Sequence, residues 1–138
     1  KKISIFGHSM GGHGALVCGI KESDKFESVS AFSPIVNPVN CPWGQKAFKG
    51  YLGDDETKWK DYDATELTKS GKKAKSKILI DQGTADEFLE KELLTKKLEE
   101  VCGEGVADIN YREGYDHSYY FISTFLKGHI EFHLSHLE

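Results

Sequence analysis

Ten residues near the start, Ile3-Ser4-Ile5-Phe6-Gly7-His8-Ser9-Met10-Gly11-Gly12, constrain the fold of this 138-residue chain more than any other stretch. They read as a short apolar strand, a sharp glycine-flanked turn carrying a serine, and the opening of a helix. Gly7-His8-Ser9-Met10-Gly11 fits G-x-S-x-G, a pattern in which a serine rides a strained strand-to-helix turn with its hydroxyl raised above the sheet. Glycines two residues before and after the serine are expected because a side chain at either place would strike the neighbouring strand or helix. The turn also sets Ser9 at the positive end of a helix dipole, which favours developing negative charge. A tight αβ turn with a chance serine gives the same pentapeptide, so the remainder of the chain must decide.

The remainder alternates strands with helices. A helix is expected from Gly12 to about Lys21, a buried strand from Glu27 to Ser33, and a strand break at Ser33-Pro34, where proline lacks a donor. Asn37 to Tyr51, with its prolines, reads as irregular, and Asp54 to Ser70 as short polar helical pieces around Trp59, Tyr62 and Leu67. Residues 37–70 thus form a long excursion between strands, of the kind that covers sites in α/β enzymes. Ile78 to Asp81 is a third strand. Phe88, Leu89, Leu93, Leu94, Leu98 and Val101 carry helical spacing through Glu87 to Cys102, stopped by Gly103-Glu104-Gly105. Val106 to Arg112 is a fourth strand, and a long final helix starts at Ser118. This order predicts a parallel sheet with crossover helices, arranged as one domain.

Composition narrows the function classes. A net charge of −4 argues against nucleic acid or acidic membranes as partners. No run of 18 apolar residues predicts a membrane span. Cys18, Cys41 and Cys102 are odd in number and widely spaced, unlike a disulfide framework or a zinc site, and a reducing cytoplasm is their simplest home. The five lysines between Lys69 and Lys77 read as a solvated loop in preference to an anion patch. The chain opens inside a strand, so a preceding segment is expected in the natural product.

A serine hydroxyl needs a base to take its proton, and the base needs an acid to fix its tautomer. In α/β enzymes that carry their serine on a G-x-S-x-G turn, these follow in the order serine, acid, histidine, each after a strand. Ser9, Asp86 after the third strand and His117 after the fourth fill that order. Asp81, at the end of the third strand, is the alternative acid. Asp116 adjoins His117 and reads as a loop or capping residue. His8 and His13 read as site lining or structure, and His129, His133 and His136 as the polar face of a terminal helix in preference to a metal site. No phosphate-cradling loop or dinucleotide fingerprint is present.

Beyond the elbow, Ser33-Pro34-Ile35, Pro42-Trp43-Gly44-Gln45-Lys46-Ala47-Phe48, Gly50-Tyr51-Leu52-Gly53, Asp81-Gln82-Gly83 and Gly114-Tyr115-Asp116-His117-Ser118-Tyr119-Tyr120-Phe121-Ile122 carry a resemblance over nearly the whole chain. Together they resemble the S-formylglutathione hydrolase (esterase D) family. The resemblance implies an α/β-hydrolase fold, a three-layer αβα sandwich whose N-terminal strands lie outside this chain. It implies a Ser9–His117–Asp86 triad, an oxyanion donor at the Met10 amide, and a place near the acyl site for Trp43, for which a packed lid aromatic is the alternative; with His8, read above as site lining or structure, Trp43 is a substrate-pocket candidate. It also implies a cytoplasmic enzyme without metal or cofactor, often dimeric, that hydrolyses S-formylglutathione to glutathione and formate in formaldehyde detoxification. The family has a further N-terminal half carrying a second oxyanion donor, so this chain is expected to be a fragment or to associate with that half. An acyltransferase of related fold and a catalytically incompetent fragment are the competing readings. The short Gly103-Glu104-Gly105 turn is a minor departure from the family.

Overall fold

The structure is a computed structural model describing residues 1–138. Four strands, β1 (Ser4–His8), β2 (Ser28–Phe32), β3 (Ile78–Gly83) and β4 (Ala107–Arg112), form one sheet in the order β1-β2-β3-β4. All three pairings are parallel, as the alternation of strands and helices predicts. Six α-helices follow the strands: α1 (Met10–Lys21), α2 (Pro42–Leu52), α3 (Glu56–Trp59), α4 (Ala64–Lys69), α5 (Thr95–Val101) and α6 (Tyr119–Leu137).

The period-two alternation of the strands sorts side chains onto two unlike faces. Val29, Ala31, Ile78 and Ile80 face one way and pack with Leu16 and Ile20 of α1, Leu67 of α4 and Leu98 of α5 into the main core. Each fully buried valine, leucine or isoleucine among them contributes roughly 1.5–3 kcal/mol. The opposite face carries Ser28, Ser30, Phe32 and Asp81, and α6 lies across it. Phe121 of α6 packs edge-on against Phe32, and His129 stacks on the same ring at 3.8 Å. Helices therefore cover both faces of a parallel sheet, which is the three-layer arrangement expected.

Three expectations change. The segment read as irregular holds an 11-residue helix, α2. Pro42 begins it, because proline at the first helical position lacks only an amide that would be unpaired anyway, and Cys41 caps it by accepting the Gly44 N–H on Sγ. The amphipathic run 87–102 is not one helix. Leu89–Leu93 forms a single wide π turn, Leu94 adopts a left-handed conformation with φ 54°, and α5 starts only at Thr95. The Leu93 carbonyl is diverted to the Val36 N–H at 3.1 Å, while its side chain joins Ile35 and Cys41 in a small second core. Thirdly, the α6 histidines do not form a solvent face. His129 and His133 are buried, with all four ring nitrogens engaged by Ser28, Ser30 and Asp81, and only His136 is partly open.

The remaining charged features are plainer. The lysines from Lys69 to Lys77 are all exposed, and Lys75 reaches Glu27 at 2.8 Å. Asp63, fully buried, ties the excursion together by accepting from the Asn37 side chain and from the Val39 and Glu66 amides. No helix is long and apolar enough to cross a membrane.

Candidate active site

The turn between β1 and α1 has the strain its glycines imply. Ser9 sits at φ 57°, ψ −115°, a conformation costing on the order of 1–3 kcal/mol in a non-glycine residue. It is held there on both sides: its amide donates to the Phe32 carbonyl at 3.0 Å, and its carbonyl accepts from His13 and Ile35. A Cβ on Gly7 would collide with the Gly11 carbonyl, so glycine is required before the serine. The expectation for Gly11 fails, since a Cβ there meets nothing within 4 Å. Gly12 has that role instead, its missing Cβ leaving 3.0 Å to the Pro34 side chain.

The parallel register then brings three loops together above the sheet's C-terminal edge. Ser9 follows β1, Asp86 lies in the loop after β3, and His117 lies between β4 and α6. His117 Nδ1 donates to Asp86 Oδ2 at 2.7 Å, since the carboxylate can only accept, and Nε2 is left to accept the Ser9 hydroxyl at 3.0 Å. Asp86 is buried and further held by the Phe88 amide at 2.8 Å and the Gln82 side chain at 3.2 Å. Burial pushes its carboxyl up, but His117, the Phe88 amide and Gln82 together outweigh that and hold it below the ordinary carboxylate range. Phe88 meets the His117 ring edge-on at 5.0 Å.

The alternative acid is occupied elsewhere. Asp81 accepts from Arg112 Nε at 2.8 Å and from His129 Nε2 at 2.7 Å, beneath α6. Asp116 accepts the Ser118 N–H, the capping role its position suggests. His13 is structural: it is buried, and its Nε2 accepts the Ala64 N–H at 3.2 Å. Burial lowers its pKa to about 4.

A cavity of about 370 Å³ opens at Ser9, lined by Ser9, Met10, Ile35, Trp43, Phe88, Glu92, Leu93 and His117. Trp43, named from sequence, is in that wall. His8 is not, because strand alternation sends its ring to the α6 side. There it lies 4.6 Å from the His117 ring, with Nε2 buried and unpartnered. Burial, then the neighbouring His117, lowers the His8 pKa. Met10 opens α1, and the first amides of a helix have no intrahelical partner. On sequence alone, Ile35, Phe88, Glu92 and Leu93 have no site role. The helical spacing of Phe88 and Leu93 reads as core, and only the π turn brings them to one wall.

Residues 1–132 match the model of the family described as "Putative esterase". The chain belongs to this esterase family. It is 57% identical to the S-formylglutathione hydrolase of Rattus norvegicus over 140 residues, covering 99% of this chain and 50% of that protein. The corresponding protein of Mus musculus is 56% identical with the same coverage. The solved S-formylglutathione hydrolase from Agrobacterium tumefaciens superposes with a TM-score of 0.91 at 46% identity, covering 98% of this chain and 49% of that one. The chain thus spans about half the length of the relatives it matches, and its sheet and helices have the α/β-hydrolase architecture.

Proposed function

We propose that this chain carries the nucleophile, base and acid of a serine thioesterase that hydrolyses S-formylglutathione to glutathione and formate. The observation that carries this reading is the hydrogen-bonded series Ser9–His117–Asp86, at 3.0 and 2.7 Å, with Ser9 opening on an apolar cavity. The substrate comes from the relatives' activity.

His117 Nε2 takes the Ser9 proton as Oγ attacks the formyl carbon. The carbonyl oxygen becomes an oxyanion facing the Met10 N–H at the positive end of α1. The C–S bond breaks, and His117 returns its proton to the departing glutathione thiolate. His117 then deprotonates a water that attacks the formyl-Ser9 ester, releasing formate and restoring the hydroxyl. Asp86 holds the imidazole with Nδ1 protonated and stabilises the imidazolium. No metal or cofactor enters this scheme. Residues 37–70 act as a lid-like cover of a single domain, a role supported by Trp43 in the cavity wall. A cytoplasmic enzyme acting on a small thioester, with homodimers as the assembly, completes the reading.

The test is product analysis on the natural protein that contains this chain. Incubation with S-formylglutathione should release thiol and formate in equal amounts, with and without an added alcohol or thiol acceptor. Formyl transfer to the acceptor in place of formate would support the acyltransferase reading, and absence of any turnover by this chain assayed alone would support an incompetent fragment.

A further inference from the structure

Among the eight residues around the Ser9 cavity, Glu92 is out of character. Five are apolar, and Ser9 and His117 are spent on each other, so Glu92 carries the one fixed formal charge on the wall. Glu92 is half-buried, and its carboxylate stays open at the cavity mouth. Glu92 Oε2 accepts the Trp43 N–H of α2 at 3.2 Å, and the Cys41 thiol is a further donor beside the same carboxylate. No lysine or arginine forms an ion pair with it.

Its placement is built. The Glu92 and Leu93 amides both donate to the Phe88 carbonyl at 2.9 Å, the shared acceptor of a π turn. In a regular α-helix residues i+4 and i+5 point about 100° apart, whereas the wider turn presents Phe88, Glu92 and Leu93 to one cavity. The left-handed Leu94 ends the turn immediately afterwards, fixing Glu92 at this rim.

We infer that Glu92 is a specificity-determining residue that binds the substrate's ammonium group through its carboxylate. The inference rests on the thioesterase reading and deepens it. A glutathione thioester has one ammonium, on its γ-glutamyl residue, and two carboxylates. A lone carboxylate on the wall repels the latter and complements only the former, so the γ-glutamyl amine lies at Glu92 and the glycyl carboxylate points away. At Glu92 the ammonium makes a charge-assisted hydrogen bond to the carboxylate.

The test is equilibrium binding, which does not depend on turnover. S-methylglutathione and its desamino counterpart, lacking only the γ-glutamyl amine, are titrated into the natural protein and into Glu92→Gln. Glutamine keeps an acceptor for the Trp43 N–H, so α2 stays capped. The unaltered protein should bind S-methylglutathione about tenfold more tightly than the desamino ligand, the size of one charge-assisted hydrogen bond at a partly open site. In Glu92→Gln the two should bind within about twofold of each other. Equal binding by the unaltered protein, or a preference that survives in Glu92→Gln, overturns the inference. A loss shared equally by both ligands also overturns it, leaving Glu92 as an anchor for α2 only. Failure to hydrolyse S-formylglutathione would count against the thioesterase reading and leave this comparison readable.

Discussion

Two serine–histidine–aspartate series run through this molecule, and their distances are nearly the same. At the cavity, Ser9 Oγ, His117 and Asp86 are joined at 3.0 and 2.7 Å. Beneath α6, Ser30 Oγ, His129 and Asp81 are joined at 2.8 and 2.7 Å. What separates them is everything around the bonds. Ser9 stands on a strained turn at the start of a helix, beside open space. Ser30 lies mid-strand and is wholly buried, and its oxygen is also bound to His133 Nε2 at 2.7 Å.

The second series continues from His133 Nδ1 to Ser28 and on to Ser4, at 2.7 and 2.6 Å. The Asp81 carboxylate fixes every proton in it. His129 donates to Asp81 from Nε2 and accepts Ser30 O–H at Nδ1. Ser30 then accepts from His133 Nε2–H, His133 Nδ1 accepts Ser28 O–H, and Ser28 accepts from Ser4. A closed network of this kind holds α6 on the sheet and has no room for a substrate. Triad geometry is therefore not sufficient for a nucleophile; strain, free helix amides and an adjacent cavity distinguish the candidate.

The largest expected contrast is between the serines. Ser9→Ala should lower thioester hydrolysis by about 10⁴–10⁶-fold, whereas Ser30→Ala should leave Ser9 reactive, both followed by initial rates. Comparable losses in the two variants would erase the distinction. The acids should divide in the same way. Asp86→Asn frees His117 to adopt the wrong tautomer and should cost about 10³–10⁴ in kcat, with little change in the urea unfolding midpoint.

His129→Ala should do the reverse. Removing a buried hydrogen-bond partner leaves Asp81 Oδ2 and the Ser30 hydroxyl unsatisfied, at about 1–3 kcal/mol for each such group, read as a lower urea midpoint, with hydrolysis retained by the folded fraction. A rate collapse in His129→Ala at temperatures where it remains folded would mean that the two series are coupled.

The smallest effect is on pH dependence. Burial, then the neighbouring His129 and His136, lowers the His133 pKa to about 4, and burial alone does the same to His13. Between about pH 6.5 and 4 the unfolded chain takes up protons that the folded chain refuses. Stability is therefore full above pH 6.5 and falls as pH drops toward 4, with a contribution of about 3 kcal/mol from a group as buried as His13. Urea midpoints at pH 7, 5.5 and 4.5 should decline in step. His133→Gln should flatten that decline, and an unchanged slope would show that His133 is not held neutral by the fold.

The same contrast explains what the sequence makes legible. Ser9 announces itself through its glycines, and the strand order alone narrows the acid to Asp81 or Asp86. Choosing between them depends on which side of β3 each carboxylate takes, and the α6 packing that commits Asp81 to His129 has no local signature. For the same reason His129 and His133 look like solvent-facing residues: a polar sheet face made by Ser28, Ser30 and Asp81 is invisible until the strands pair. Pro42 resembles a breaker until Cys41 is seen to cap the helix it begins. The break at Leu94 arises from the Leu93 carbonyl bonding to Val36, a contact 57 positions away in the chain.

The most direct measurement is covalent labelling of the natural protein with a fluorophosphonate, followed by peptide mass spectrometry. One adduct on Ser9, absent in Ser9→Ala and undiminished in Ser30→Ala, is the predicted result. An adduct on any other serine, or full labelling of Ser9→Ala, would contradict the assignment of Ser9 as the nucleophile.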